Sequence, residues 1–334
     1  MRARWSNLSS IERCTPTGLT RRAVRVGLSA SGRGDNHEHE HLRMTELKVA
    51  FAGLGAMGHP MAGHLARAGL LAHVWNRTHA KAEAVAAELG VAAPASIAEF
   101  ARTADVIALC VPADADVLAL AREIAAHARK GTIVVDHSTV SSVTARAAAD
   151  ILAASGCAFL DAPVSGGVEG AKNGKLSIMV GGNADALVQV RPVLDCYAAR
   201  ISHMGDVGAG QNTKAVNQVL VAGIAQAVCE GLALSEKLGL DAERLLPTLL
   251  AGAASNWFLD KRGATMLKNE FSVGFKLALL HKDLKIVREL AVAAGTDRSV
   301  IEKSLADYAV LLAQGHGDED ISALIRLKRR SPPA

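Results

Sequence analysis

Short apolar runs alternate with helical stretches through the first two thirds of the chain. Strand candidates lie at 47–52, 71–75, 105–111, 132–136 and 158–161, and two more at 176–180 and 200–203 extend the sheet to about residue 205. Helix candidates lie between them at 57–68, 78–89, 114–128, 141–155 and 184–197. Because the alternation from residue 47 to about 161 is typical of βαβ units, the pattern predicts an α/β fold with a parallel, doubly wound sheet.

The pattern changes at the glycine-rich segment 205–210, after which nearly all of the chain is predicted to be helical. Residues 211–238 are predicted to form one helix of about 28 residues, roughly 42 Å long at 1.5 Å per residue. Further helices are predicted at 242–250, 257–268, 277–294 and 299–314. We therefore expect a sheet domain over 44–205 and an all-helical C-terminal domain over 206–330, joined by the long helix.

Composition narrows the class of protein. Half of the residues are hydrophobic but only 3% are aromatic, so Ala, Leu and Val must fill the interior, which favours packed helices over a β-sandwich. No run of 18 apolar residues lacks a charge or a strongly polar group, so no transmembrane helix is expected. The five cysteines have no metal-like or CxxC spacing, which indicates a reducing, cytoplasmic location without disulfides. A net charge of +4 does not indicate nucleic-acid binding.

The first 43 residues differ from the rest of the chain. They are rich in Arg, Ser and Gly, poor in acids and without hydrophobic periodicity, so we expect disorder. One interpretation is an organellar transit peptide. The favoured one is a mis-assigned extension, because Met44 stands three residues before the first strand. The alternating His and Glu of 37–41 have no scaffold to fix their geometry, so no metal site is assigned.

A glycine-rich turn lies between the first strand and the first helix. Its residues are Gly53, Leu54, Gly55, Ala56, Met57 and Gly58, which form a GxGxxG motif. In this context the first glycine permits the tight turn, the second lets a pyrophosphate approach the backbone, and the third lets helix and strand pack closely. The motif predicts a Rossmann-type dinucleotide-binding domain, and the alternative is a glycine-rich turn without a ligand.

The end of the second strand bears on the choice of dinucleotide. An NAD-binding unit usually places Asp or Glu about 20 residues past the glycines, to accept hydrogen bonds from the ribose 2′-OH. Here Asn76, Arg77 and Thr78 follow the strand instead. A guanidinium suits a 2′-phosphate, so NADP is favoured and NAD stays possible. The alternative is that Arg77 is only a solvated loop cation.

Lys214 lies about one turn into the long helix, on the side predicted to face the sheet. If it is buried, desolvation lowers its pKa and it can exchange a proton with a carbonyl or hydroxyl oxygen. From its spacing alone, an ordinary solvated lysine is equally acceptable. Asn217 and Gln218 share its helix face, and either amide could bind the reacting oxygen or simply tether the helix.

Loops at three strand ends are candidate ligand contacts. Ser165, Gly166 and Gly167 offer small residues and a hydroxyl that can converge on an anion, although a plain glycine loop is the alternative. Ser138 and Thr139 follow another strand at the edge where ligands of open sheets collect, and Val111 and Pro112 end the strand before it. For His137 a structural role is favoured over a catalytic one.

Four separated motifs occur in the order found in one enzyme family: GLGAMG at 53–58, DAPVSGG at 161–167, GAGQNTK at 208–214, and Phe275 followed by Lys-Asp-Leu at 282–284. From residue 46 to about 328 the chain resembles the β-hydroxyacid dehydrogenase family. This is the group of 3-hydroxyisobutyrate dehydrogenases and tartronate semialdehyde (2-hydroxy-3-oxopropionate) reductases.

The resemblance implies roles for matching residues. Lys214 would be the catalytic residue, the 165–167 loop would bind the substrate carboxylate, and Thr139 would touch the nicotinamide half of the cofactor. Lys282 would reach the cofactor, while Phe275 and Asp283 would help to close the pocket. The family often has Asn four residues after the lysine, where this chain has Gln218, so the amide that contacts substrate is left open between Asn217 and Gln218.

The resulting prediction is an NADP-preferring, metal-free oxidoreductase that interconverts a short 3-hydroxy acid and its semialdehyde. The tail 315–324 resembles those of tartronate semialdehyde reductases, which favours tartronate semialdehyde and glycerate, with 3-hydroxyisobutyrate, glyoxylate and succinic semialdehyde still open. Related imine reductases generally lack the lysine, so Lys214 argues against that alternative. The intact lysine and loop also argue against a non-enzymatic scaffold. The Ala- and Leu-rich helices indicate a homodimer or homotetramer.

Overall fold

The computed structural model describes residues 47–329. The predicted N-terminal extension at 1–43 therefore lies outside the described residues. The strands are β1 (Val49–Ala52), β2 (Leu71–Trp75), β3 (Val106–Leu109), β4 (Ile133–Asp136), β5 (Ala158–Asp161), β6 (Val164–Ser165), β7 (Leu176–Gly182) and β8 (Ala198–Gly205). The helices of the sheet region are α1 (Gly58–Arg67), α2 (His79–Leu89), α3 (Ile97–Arg102), α4 (Asp114–His127), α5 (Ser142–Ala153), α6 (Gly167–Lys172) and α7 (Ala184–Asp195).

The eight strands form one sheet in the order β2-β1-β3-β4-β5-β7-β6, with β8 paired to β7. The five strands from β2 to β5 are parallel, as predicted for a doubly wound sheet. Strand β7, for which the pattern predicted no direction, runs antiparallel to β5. A parallel return needs a full crossover, whereas only the two-residue β6 and the single short helix α6 separate β5 from β7.

The sheet is buried on both faces. Along β1, Val49 and Phe51 pack into one hydrophobic cluster, while Ala50 and Ala52 pack into a second. Successive side chains of a strand point to opposite faces, so one cluster lies on each face of the sheet. Each cluster forms the core between the sheet and the helices that cover that face. The Rossmann-type architecture is thus confirmed.

The remainder is helical, as expected, and contains α8 (Ala209–Lys237), α9 (Ala242–Leu250), α10 (Trp257–Leu267), α11 (Leu277–Ala294), α12 (Ser299–Ala313), a 3₁₀ turn (Ile321–Leu324) and α13 (Ile325–Lys328). The predicted division between 205 and 206 falls in the turn between β8 and α8 and remains a prediction. The pattern missed β6, α3, α6 and the two last elements, because each is too short to show a periodicity.

Helix α8 has 29 residues and is the core helix of this region. Among the described residues it is the one helix whose length and composition would permit a membrane span, which the sequence was not expected to contain. This is weak evidence, because core helices of soluble proteins pass the same test. Ala222, Ala225 and Cys229 of α8 are fully buried in a cluster with the neighbouring helices.

Candidate active site

The glycine turn after β1 is tightly packed on its inner side and open over Gly55. Gly53 has a φ of 95°, and a Cβ there would lie 2.2 Å from the Cys110 carbonyl oxygen. A Cβ on Gly58 would lie 1.9 Å from the Gly53 oxygen, so the helix can approach the strand only with glycine at 58. A Cβ on Gly55 would meet nothing within 4 Å, which leaves open space over the turn. The chain therefore provides a cradle at the N-terminus of α1, where an anion is favoured.

The residues after β2 sit beside this turn. Asn76 accepts a hydrogen bond from the Leu54 N–H at 3.2 Å and donates one to the Thr78 carbonyl at 3.2 Å, which ties the two loops together. The Arg77 side chain is 80% exposed, and its Nη1 lies 3.0 Å from Oδ1 of Asp116 in α4. No carboxylate directly follows β2 in the sequence, yet the fold brings one to Arg77 from 39 positions further along the chain.

A cavity of about 1000 Å³ runs from the glycine turn across the carboxyl ends of the strands to α8, α10 and α11. Within the cavity lining, Ser138 Oγ accepts a hydrogen bond from the Val111 N–H at 2.9 Å, which connects the loops after β3 and β4. Of the predicted site residues only Leu54, which is buried in the core, and Gly58 do not line this cavity. Those that line it are Gly53, Gly55, Ala56, Met57, Asn76, Arg77, Thr78, Val111, Pro112, Thr139, Ser165, Gly166, Gly167, Lys214, Asn217, Gln218, Phe275, Lys282 and Asp283.

Lys214 projects from the first turns of α8 into the cavity and is only 7% exposed. Its Nζ donates a hydrogen bond to the Val164 carbonyl at 2.8 Å, directly before Ser165. Burial lowers the pKa of Lys214 from its ordinary 10.5 to about 8. The carboxylate of Asp283 opposes this lowering and the ammonium of Lys282 adds to it. The side chain can therefore change protonation near neutral pH.

Asp161 holds the start of α8 against the sheet. Its Oδ1 accepts the Gly208 N–H at 2.7 Å and its Oδ2 accepts the Gln211 N–H at 2.8 Å. The Gln211 side chain in turn donates to the Ser138 carbonyl at 2.8 Å and accepts the Val140 N–H at 3.2 Å. Both residues belong to the quoted motifs, but sequence reasoning assigned them no role, because their partners lie about 50 or more positions away.

A chain of polar contacts joins the Ser165 loop to α11. The Ser165 hydroxyl donates to Asn217 Oδ1 at 3.4 Å, and Asn217 Nδ2 donates to Gln218 Oε1 at 2.8 Å. Gln218 Nε2 then donates to Asp283 Oδ2 at 2.7 Å. The other Asp283 oxygen lies 2.9 Å from Lys282 Nζ but is not aligned for a hydrogen bond. Both candidate amides thus belong to one network around Lys214.

Lys282 also donates to the Thr139 carbonyl, so α11 is connected to the loop after β4. This contact brings together two residues that the family resemblance had placed at the cofactor.

The loop after β6 is covered by a segment from the helical region. The Val168 N–H donates to the Gly274 carbonyl at 3.2 Å, and the N–H groups of Gly274 and Phe275 donate to Asp320 Oδ2. Arg262 of α10 is paired with the same carboxylate at 3.3 Å and also lines the cavity. Arg262 and Asp320 were missed, because no motif or strand end marked them in the sequence.

His137 is held by two hydrogen bonds. Its Nδ1 donates to the Ala162 carbonyl at 2.7 Å, and its Nε2 accepts from the Tyr197 hydroxyl at 2.9 Å. Burial lowers the pKa of His137 to about 4, so the ring is neutral at pH 7. These contacts accord with a structural role. Within residues 47–329 no group of three or more His, Cys, Asp or Glu side chains is placed to hold a metal ion.

Comparisons with known proteins agree with this arrangement. The family model of the NAD binding domain of 6-phosphogluconate dehydrogenase matches residues 48–205. The model described as NAD-binding of NADP-dependent 3-hydroxyisobutyrate dehydrogenase matches residues 208–328. The chain is 34% identical over 290 residues to the NAD-dependent L-serine dehydrogenase of Pseudomonas aeruginosa, which covers 84% of this chain and 97% of that protein.

Two further relatives have similar lengths. The 2-hydroxy-3-oxopropionate reductase of Escherichia coli is 34% identical over 283 residues, covering 84% of this chain and 96% of the reductase. The solved structure of Mycobacterium tuberculosis 3-hydroxyisobutyrate dehydrogenase with L-serine matches with a TM-score of 0.77 and 34% identity, over 85% of this chain and 99% of that one. These relatives are dehydrogenases and reductases that act on hydroxyl groups with NAD-binding domains. The chain is therefore an NAD(P)-binding oxidoreductase and belongs to the β-hydroxyacid dehydrogenase family, the group of 3-hydroxyisobutyrate dehydrogenases and 2-hydroxy-3-oxopropionate reductases.

Proposed function

We propose that the protein is an NADP-preferring oxidoreductase that interconverts a short 3-hydroxy acid and its semialdehyde, with Lys214 as general acid and base. The observation that carries this proposal is the buried Lys214 ammonium, whose pKa is lowered to about 8, beside the Ser165 loop. Such a group can give a proton at neutral pH and take it back in the reverse direction.

The glycine turn would hold the cofactor diphosphate, and Asn76, Arg77 and Thr78 would hold its adenosine end. Val111, Pro112, Thr139 and Lys282 would surround the nicotinamide half. The open space at Gly55 and the position of these residues around one cavity support this fit. When bound, the nicotinamide supplies or accepts the hydride.

The residues of the chain do the rest. Backbone N–H groups and the Ser165 hydroxyl of the 165–167 loop bind the substrate carboxylate, which orients the carbonyl carbon. Lys214 donates a proton to the carbonyl oxygen during reduction, and its positive charge stabilises the developing alkoxide. In oxidation the neutral amine accepts the hydroxyl proton. Asn217 and Gln218 orient the reacting oxygen relative to the Lys214 amine. Phe275 and Asp283 close the pocket.

The substrate is a small carboxylic acid with the alcohol or aldehyde group on C3, two carbons away from the carboxylate carbon. Tartronate semialdehyde and glycerate are the first candidates, since a relative is named 2-hydroxy-3-oxopropionate reductase. 3-Hydroxyisobutyrate and L-serine, which relatives' names also include, are likewise short acids with a hydroxyl group on C3.

An assay panel tests the proposal directly. Short 3-hydroxy acids and semialdehydes are measured with NADP(H) and with NAD(H), and faster turnover is expected with the phosphorylated cofactor. Replacing Lys214→Ala should keep cofactor binding but reduce turnover by at least about a hundredfold, the lower end for a general acid and base. A rate near that of the wild type in this variant would remove Lys214 from the mechanism.

We also infer self-association into a homodimer or homotetramer. Val216 and Leu220 lie four residues apart and so share one face of α8. Val216 and Leu220 are 62% and 61% exposed in the single chain. Contiguous apolar side chains that face water typically mark an interaction surface, which supports the inference.

A further inference from the structure

We propose that Asp116 is a cofactor-specificity residue that opposes the 2′-phosphate of NADP and favours the 2′-hydroxyl of NAD. The inference rests on the proposed function, because it takes the Arg77 end of the cavity as the adenosine-ribose site. It adds a second, opposing determinant to a site that sequence reasoning had treated as purely cationic.

The position of Asp116 carries the inference. It lies in the first turn of α4, and its carboxylate meets the Arg77 guanidinium at 3.0 Å. The Asp116 side chain is 26% exposed and lines the same cavity as Gly55, Thr78 and Arg77. The carboxylate thus lies beside Arg77, which follows β2 where NAD-binding units usually carry their acid, although Asp116 comes from another element.

The charge balance decides the direction of the effect. A 2′-phosphate must draw the guanidinium away from Asp116, or bind it while facing a carboxylate of its own sign. A 2′-hydroxyl carries no charge and can donate a hydrogen bond to that carboxylate. Asp116 therefore penalises NADP and assists NAD.

The pair does not abolish the attraction of the site for phosphate. An ion pair this exposed is weak, so Arg77 can exchange partners at little cost. Lys81, a second cation, also lines the cavity, and its backbone N–H donates to the Thr78 carbonyl at 3.1 Å. Arg77 and Lys81 together outweigh one carboxylate, so the expected result is a moderate preference for NADP with retained NAD binding.

The test compares the binding of NADPH and NADH to the full-length protein, followed by nicotinamide fluorescence. Asp116→Asn should raise the ratio of NADPH to NADH affinity by about threefold to tenfold at low salt, and by less at high salt, because salt screens exposed charges. The matched control is Glu123→Gln, which removes the same charge from an exposed position of α4, two turns further along and outside the cavity. It should leave the ratio unchanged.

An unchanged ratio in Asp116→Asn, or an equal change in the Glu123 variant, would overturn the inference. Arg77→Ala separates this result from the proposed function. A variant without Arg77 that keeps the selectivity of the wild type would refute the proposed role of Arg77. The selectivity of Asp116→Asn is measured by cofactor binding alone, so this test of the inference does not depend on whether the proposed reaction is correct.

Discussion

Lys214 shows how a side chain acquires its chemistry from its surroundings. An exposed lysine is an ammonium at every physiological pH, whereas burial brings the pKa of this one to about 8. Asp283, which is itself buried, keeps the pKa from falling further. The lysine is thus mainly protonated at pH 7 and yet close to the point where it can release its proton.

This pKa predicts opposite pH dependence for the two directions. Reduction requires the ammonium, so its rate should fall as the pH rises through about 8, while oxidation requires the neutral amine and should rise over the same interval. Initial rates with saturating substrates, measured from pH 6 to 10 in both directions, check this. Parallel profiles in the two directions would contradict the assignment.

At the scale of the element, different glycines of the turn are expected to serve protein stability and cofactor binding. Gly55→Ala places its methyl group in open space, so the variant should melt like the wild type but bind NADPH more weakly. Gly58→Ala drives a methyl group into the Gly53 carbonyl and should lower the free energy of unfolding by about 1–3 kcal/mol, as overpacking does. Thermal melting and cofactor titration of both variants distinguish the two effects. Equal melting temperatures for both would show that the turn is looser than the close approach indicates.

The position of the first turn of α8 depends on the Asp161 carboxylate. Asp161→Ala leaves the N–H groups of Gly208 and Gln211 without their buried acceptor, so the free energy of unfolding should fall by about 1.5–3 kcal/mol. Because Lys214 follows in the next turn, kcat should also drop while NADPH binding changes little. Asp161→Asn keeps one acceptor and should be intermediate. Chemical denaturation and steady-state kinetics test both points, and an unaltered kcat in the alanine variant would show that α8 is positioned by other contacts.

At the scale of the whole molecule, the exposed face of α8 predicts association. Sedimentation of the wild type should give a dimer or tetramer, because Val216 and Leu220 would otherwise remain in water. Leu220→Lys should shift the protein toward the monomer, with Lys237→Glu as a charge-changing control on the same helix outside this face. A monomeric wild type would refute the proposed assembly.

Much of the architecture was predictable because it depends on local signals. The strand and helix periods located the parallel core and α8, and the glycines at 53, 55 and 58 identified the dinucleotide turn. The antiparallel β7 was not predicted, since its direction depends on how short the connection from β5 is rather than on its own residues. The short elements α3 and α6 also left no periodic signal.

By itself, the sequence determined the order of the elements, the residues of the glycine turn, the presence of Lys214 and the family. Only the tertiary structure decided that Asp161 anchors α8, that Arg262 joins the cavity and that Asp116 stands against Arg77. The physical reason is distance along the chain. Turns and helices are specified by neighbouring residues, whereas the charge balance of a site is set by side chains that meet only when strands and helices pack.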